Sequence, residues 1–287
     1  MVIQYKGLRE IAQNYDGFIL DLWGVMHDGK KLYPGVRDCL VRLRSLEKKI
    51  YFLSNAPRRK DVIAGMLEGM GIPHHLYDGI HTSGEAVIKH LEAEMTPNDQ
   101  YYILAGEFGH ELGQPLIKGL GLNITHNLET ATHFLGVAPN LEENITPYIP
   151  LLQQGLSLNL PMICANPDRV VNSGNRLVIC AGSLAEWYQQ QGGQVIWFGK
   201  PYASVYQHLR SQLQPIPSEN ILAIGDGMET DIKGANTAHI PSCLITSGIH
   251  LQQLQGEWGK TVDNRALEAL FCLHQTQPTF TLPCLQW

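Results

Sequence analysis

Four places in the chain carry side chains suited to phosphoryl chemistry, and each follows a short apolar run. The run at 18–20 leads into Asp21, that at 50–53 into Ser54 and Asn55, that at 195–198 into Lys200, and that at 221–224 into Asp226 with Asp231. Two or three carboxylates, with carbonyls and waters, make an oxygen site of the magnesium type. A lysine and a hydroxyl beside it hold a phosphoryl group. A carboxylate nucleophile, a metal and charge-stabilising donors are the parts required to pass a phosphoryl group through an aspartyl-phosphate. Each piece alone is ordinary, since a strand-end Asp usually closes a turn and Gly-Lys-Pro usually is one. The ordered repetition is what points to a site.

The elements that must position these residues alternate. Residues 35–48 place Val36, Cys39, Leu40, Leu43 and Leu46 at helical spacing. A helix is predicted over 60–70, with Gly71 placed to stop it. Near the end, helices over 204–213 and 230–238 and a strand over 242–245 continue the pattern. Strand–helix alternation predicts a parallel sheet with helices on both faces. Ligands bind such sheets at the carboxyl ends of the strands, where the polar residues above fall. The middle has its own strands at 101–104, 133–137 and 161–164, with helices around 108–120 and 146–154. This predicts a second α/β unit over 95–181, inserted into a core of 1–94 and 182–287.

Composition excludes some classes. The chain has 287 residues, of which 44% are hydrophobic, enough for two cored domains at roughly 100–200 residues each. A net charge of −6 argues against a nucleic-acid footprint, which needs clustered Lys and Arg. The densest basic run, Arg58-Arg59-Lys60, makes a local anion site at most. No apolar run approaches a membrane span, and the start lacks a signal-type apolar stretch. The six cysteines form no CxxC pair, so reduced thiols and the cytoplasm are expected.

Six stretches carry a family resemblance: DLWGVMHDG from Asp21, LSNAPRR from Leu53, CANPD from Cys164, AGSLAEWY from Ala181, FGKP from Phe198 and GDGMETDIKGA from Gly225. In these, and in their order, the chain resembles class IIA of the haloacid dehalogenase superfamily, the group of NagD-type nucleotide phosphatases and pyridoxal phosphate phosphatases. The resemblance implies an α/β fold: a Rossmann-like doubly wound parallel sheet with a large inserted α/β cap. It implies a Mg2+-dependent phosphohydrolase acting on a small phosphorylated metabolite, with neither nucleic acid nor membrane as partner and a homodimer to be tested. Asp21 matches the nucleophile, and Trp23 stands where a backbone carbonyl ligates the metal. Ser54 and the Asn55 backbone N–H match the phosphoryl donors, and Arg58 a basic residue that follows them in some relatives. Lys200 matches the charge-neutralising lysine, Asp226 a direct metal ligand, and Asp231 one that ligates through water or orients the others. Substrate selection would fall to the cap, around 166–168 and 172–176.

One departure stands out. Most phosphatases of the superfamily carry a second Asp two residues after the nucleophile, as the acid and base of the reaction. Here that residue is Trp23, whose indole N–H donates a hydrogen bond but does not exchange its proton near neutrality. His27 and Asp28 are the nearby groups that could substitute. The alternatives are a phosphate- and magnesium-binding regulatory protein, or a transferase or phosphonate-type enzyme.

Overall fold

The computed structural model describes residues 2–105, 116–140, 142, 144–173 and 176–287. They divide into two compact units. The first comprises Met1–Ser54, Ile63–His81 and Lys200–Trp287, the second Asn55–Val62 and Thr82–Gly199.

The first unit is built on a seven-stranded sheet of β1 (Ile3–Gln4), β2 (Gly17–Leu20), β3 (Lys49–Ser54), β4 (Gly79–Thr82), β12 (Ile221–Gly225), β13 (Ser242–Ile245) and β14 (Phe280–Leu282), in the order β1-β14-β13-β12-β2-β3-β4. β2, β12 and β13 are buried along their whole length, the signature of parallel strands covered on both faces. Parallel pairing runs from β14 through β13, β12 and β2 to β3. Helix α1 (Val36–Ser45) buries Val36, Cys39, Leu40 and Leu43, the stripe expected from their spacing. Helix α2 (Lys60–Gly69) stops before Gly71, which takes a left-handed φ of +93°.

The second unit has its own parallel sheet. It consists of β5 (Gln100–Ala105), β6 (Asn123–Ile124), β7 (His133–Ala138), β8 (Met162–Cys164) and β11 (Val195–Trp197), in the order β11-β8-β7-β5-β6. An antiparallel ladder joins β9 (Val170–Ser173) to β10 (Arg176–Ile179). Two apolar clusters hold this unit. One gathers Val87, Ile88 and Leu91 of α3 (Ser83–Glu94) with Tyr101, Ile103 and Leu135. The other sets Leu184, Ala185 and Tyr188 of the helix Ala181–Gln190 against Phe134 and Met162. The helix expected at 108–120 falls largely outside the described residues.

Three expectations are corrected. The inserted unit is wider than 95–181, because α3, the helix Ala181–Gln190 and β11 all pack within it. β11 is not a core strand: Val195, Ile196 and Trp197 pair with Met162, Ile163 and Cys164. Apolar content announces a strand, but pairing decides which sheet it joins. Finally, the helix expected at 230–238 opens as a π-turn over Met228–Ile232 before continuing as Lys233–Thr237.

Among the described residues, no helix is long and apolar enough to cross a membrane. All six cysteines are free thiols, five of them buried, and burial pushes Cys39 and Cys164 up to about 12.

Candidate active site

The site begins with two adjacent parallel strands. Ile224 of β12 pairs with Leu20 of β2, and the Asp21 N–H donates to the Ile224 carbonyl at 2.9 Å. Asp21 and Asp226 therefore leave neighbouring strands at one level of the sheet. β3 pairs on the other side of β2, and Ser54 ends it, buried.

Lys200 joins the carboxylates. Its Nζ donates to Asp21 Oδ1 at 2.6 Å, to Asp231 Oδ1 at 2.8 Å and to the Leu53 carbonyl at 3.4 Å. Lys200 is 2% exposed, and Asp21, Asp226 and Asp231 are each 7% exposed. Long charged side chains are almost never buried without partners, so this grouping has to be mutually supporting. Lys200 reaches it from a turn that follows an edge strand of the other sheet, not from a fourth core strand end as the sequence implied.

Local backbone sets each carboxylate. The π-turn Met228–Ile232 turns Asp231 so that Oδ2 accepts from the Gly227 N–H at 3.1 Å and from Thr230 Oγ1 at 3.3 Å. Single π-turns recur at functional sites. With Oδ1 on Lys200 and Oδ2 on these donors, Asp231 is placed to orient the group. Asp226 Oδ2 accepts from the Ile249 N–H at 2.8 Å. A Cβ at Gly24 would lie 2.0 Å from that oxygen, and one at Gly248 2.2 Å from it, so Asp226 sits between two bare backbones. Gly24 also adopts a φ of +84°. Gly248 and Ile249 escaped the sequence reading, although they follow β13 at a strand end, where sites are sought.

Burial raises the Asp21 carboxyl well above the usual carboxylate range; Lys200 opposes this, and the charges of Asp231 and Asp226 reinforce it. Asp21, Asp226 and Asp231 each offer an oxygen within 4.8 Å of the others, and the Lys200 ammonium bonds two of the three carboxylates. Such an all-oxygen, electron-rich set suits a hard divalent cation. The peptide following Trp23 lies beside Asp226, as the approach of Gly24 requires.

The two proposed substitutes for the missing acid sit in different surroundings. His27 is buried, and its Nδ1 accepts from the Gly29 N–H at 3.0 Å, which places the neutral ring's proton on Nε2. Asp28 Oδ1 accepts from the N–H groups of Lys30 and Lys31, both at 2.9 Å. Slight burial would raise the Asp28 carboxyl, but these bonds outweigh it and hold it below its usual value, so it stays ionised near neutrality. Asn55 and Arg58 belong to the second unit. There Asn55 Nδ2 donates to Asp168 Oδ1 at 2.7 Å, and the Arg58 carbonyl accepts from Thr82 Oγ1 at 2.7 Å.

The sequence profile of the haloacid dehalogenase-like hydrolases matches residues 18–114, and a second profile, of haloacid-dehalogenase-hydrolase-like type, matches 197–264. Between them the matches contain Asp21, Ser54, Lys200, Asp226 and Asp231. The chain belongs to the haloacid dehalogenase-like hydrolases. A solved hydrolase of this family from Brucella suis superposes with a TM-score of 0.80 at 28% identity, covering 97% of this chain and 98% of that one. The dihydroxyacetone phosphatase of Corynebacterium glutamicum is 27% identical over 251 residues, 81% of each chain. The 4-nitrophenylphosphatase of Schizosaccharomyces pombe is 23% identical over 269 residues, 86% of this chain and 89% of its own. A glycerol phosphate phosphatase of Mycobacterium tuberculosis, solved in complex with magnesium, shares the fold with a TM-score of 0.63 at 21% identity, covering 90% of this chain and 78% of that one.

Proposed function

We propose that this phosphatase hydrolyses small phosphate monoesters with Mg2+, through a phosphoryl-enzyme formed on Asp21. The observation that carries the reading is the buried cluster of Asp21, Asp226, Asp231 and Lys200 at the carboxyl ends of β2 and β12. The phosphatase relatives, and the related fold solved with magnesium, support it.

Asp21 and Asp226, with the Trp23 carbonyl, would hold the cation, and Asp231 would orient them. When bound, the cation would supply positive charge to the transferring group and favour the ionised form of the Asp21 carboxylate. Lys200 fixes Asp21 through one oxygen, so the second oxygen attacks phosphorus. The ester P–O bond breaks, and the leaving group departs with the bonding electron pair. Lys200 and the Ser54 hydroxyl stabilise charge on the transferring group. Water then attacks the same phosphorus, which releases phosphate and one proton and restores the Asp21 carboxylate.

The family resemblance assigns phosphate binding to Asn55 and Arg58 as well, and substrate selection to the inserted unit. The strand residues at 172–173 and 176 belong to the β9–β10 ladder of that unit.

Phosphate release from a panel of esters, with and without Mg2+ and with Asp21→Asn as control, tests the reading. Release in Mg2+ that vanishes in the variant is expected. Tight phosphate binding without turnover of any ester would instead make the chain a binding protein.

A further inference from the structure

Within residues 21–29, Asp21, Leu22, Val25, Met26 and His27 are buried, whereas Trp23 is 39% exposed. A large aromatic surface is thus left open two residues from the nucleophile. Its pose is fixed: a Cβ at Gly29 would lie 2.4 Å from the indole Cη2, so the six-membered ring rests on that bare backbone. The His27 ring meets it edge-on at 5.7 Å, and the Gly29 N–H bonded to Nδ1 holds that ring in turn. Tyr33 is tied to the same loop through its N–H to the Met26 carbonyl at 2.9 Å. Its ring lies 5.8 Å from Trp258, itself 41% exposed. A pre-set aromatic face binds a flat partner at small entropic cost.

Trp23 also cannot give up its indole proton near neutrality, as a basic alkoxide would need on departure. Flat, unsaturated leaving groups avoid this demand, because they leave as stabilised anions. Both properties of one residue select the same chemistry. We propose that Trp23 is a specificity-determining residue whose indole stacks on the leaving group, so that the enzyme prefers phosphate esters of aryl, heteroaryl or enol type. This rests on the phosphatase reading of Asp21. The Asp21–phosphorus bond forms as the P–O bond to the leaving group breaks, and the departing anion takes its proton from solvent.

The test compares phenyl phosphate with hexafluoroisopropyl phosphate, whose alcohol is of similar acidity but has no flat π face. An aromatic contact is typically worth about 0.5–1.5 kcal/mol, or roughly twofold to tenfold. The full chain in Mg2+ should favour the phenyl ester in kcat/KM by that factor, mainly through KM. Trp23→Leu should bring the ratio near one, and Trp23→Phe should restore most of it. Calorimetric binding of phenylphosphonate against tert-butylphosphonate reads the same contact without turnover. It also serves if Trp23→Leu fails to fold, because the comparison needs only the unmodified protein. A ratio near one in the unmodified protein, a ratio unmoved by Trp23→Leu, or equal phosphonate affinities would overturn the inference while leaving hydrolysis intact. Preferential phenylphosphonate binding with no ester turned over would instead uphold the stacking contact and overturn the phosphatase reading.

Discussion

At the scale of single residues, the reading depends on what each carboxylate does. Asn cannot supply the attacking oxygen, so Asp21→Asn should cost on the order of 10⁴-fold or more in kcat, the range seen when other hydrolases lose a nucleophilic unit. Ser54→Ala removes one hydrogen bond to developing charge, worth about 10²–10³-fold. Initial rates on p-nitrophenyl phosphate separate the two, and parent-like turnover by Asp21→Asn would exclude covalent catalysis there. Asp226 adds charge to an already crowded buried cluster. Asp226→Asn keeps an acceptor for the Ile249 N–H and removes that charge. Each pKa unit of relief at Asp21 is about 1.4 kcal/mol. Without divalent cation the variant should therefore melt higher than the parent, by about 2–4 °C per kcal/mol. With Mg2+ the order should reverse, because only the parent gains binding energy in the folded state. A melting curve indifferent to Mg2+ in both proteins would remove the cation from the site. Trp23 should set the leaving-group dependence: with an indole in place of a second Asp, rates should climb steeply as leaving-group pKa falls. Equal chemical-step rates for aryl and alkyl phosphates would show that another group donates the proton.

At the scale of elements, glycines hold the geometry. Gly24 combines a left-handed φ with contact against Asp226, so Gly24→Ala adds about 1–2 kcal/mol of backbone strain and displaces the Asp226 carboxylate, proposed above as a metal ligand. Disturbing the support of a metal ligand typically costs about 10–100-fold in metal affinity or activity. Gly71, after α2, shares the left-handed conformation, but a Cβ there would meet nothing within 4 Å. Gly71→Ala should lower the melting temperature and leave the Mg2+ dependence of kcat unchanged. If both alanines affected Mg2+ affinity equally, the placement of Asp226 by Gly24 would be wrong. The π-turn at Met228–Ile232 has a similar local role, since it aims Asp231 at Lys200 and at its own amide donors.

At the scale of the molecule, each unit carries its own apolar interior. Phe134 is fully buried at the centre of the second unit, edge-on to Tyr102 and Tyr188 and pressed against Gly155. Phe134→Ala should destabilise that unit by about 3–5 kcal/mol. Hydrogen exchange should lose protection first along β5, β7 and β8. Protection lost equally in β2 and β12 would mean that the two interiors unfold as one.

The sequence alone determined most of the parts. Buried parallel strands are continuous apolar runs, and the polar residues that end them are their chain neighbours, so β2, β3 and β12 with Asp21, Ser54 and Asp226 were legible locally. Helical spacing located α1 and α2 for the same reason. Only tertiary structure decided what those parts join. Lys200 meets Asp21 across 179 residues, and β11 ahead of it pairs with β8 in the other sheet. α3 lies outside 95–181 in sequence yet buries its apolar face with β5 and β7. The seating of Asp226 between Gly24 and Gly248, and of the Trp23 indole on Gly29, depends on backbones brought together by folding. Pairing partners and close approaches are properties of two distant segments at once, and no local pattern of residue types encodes them.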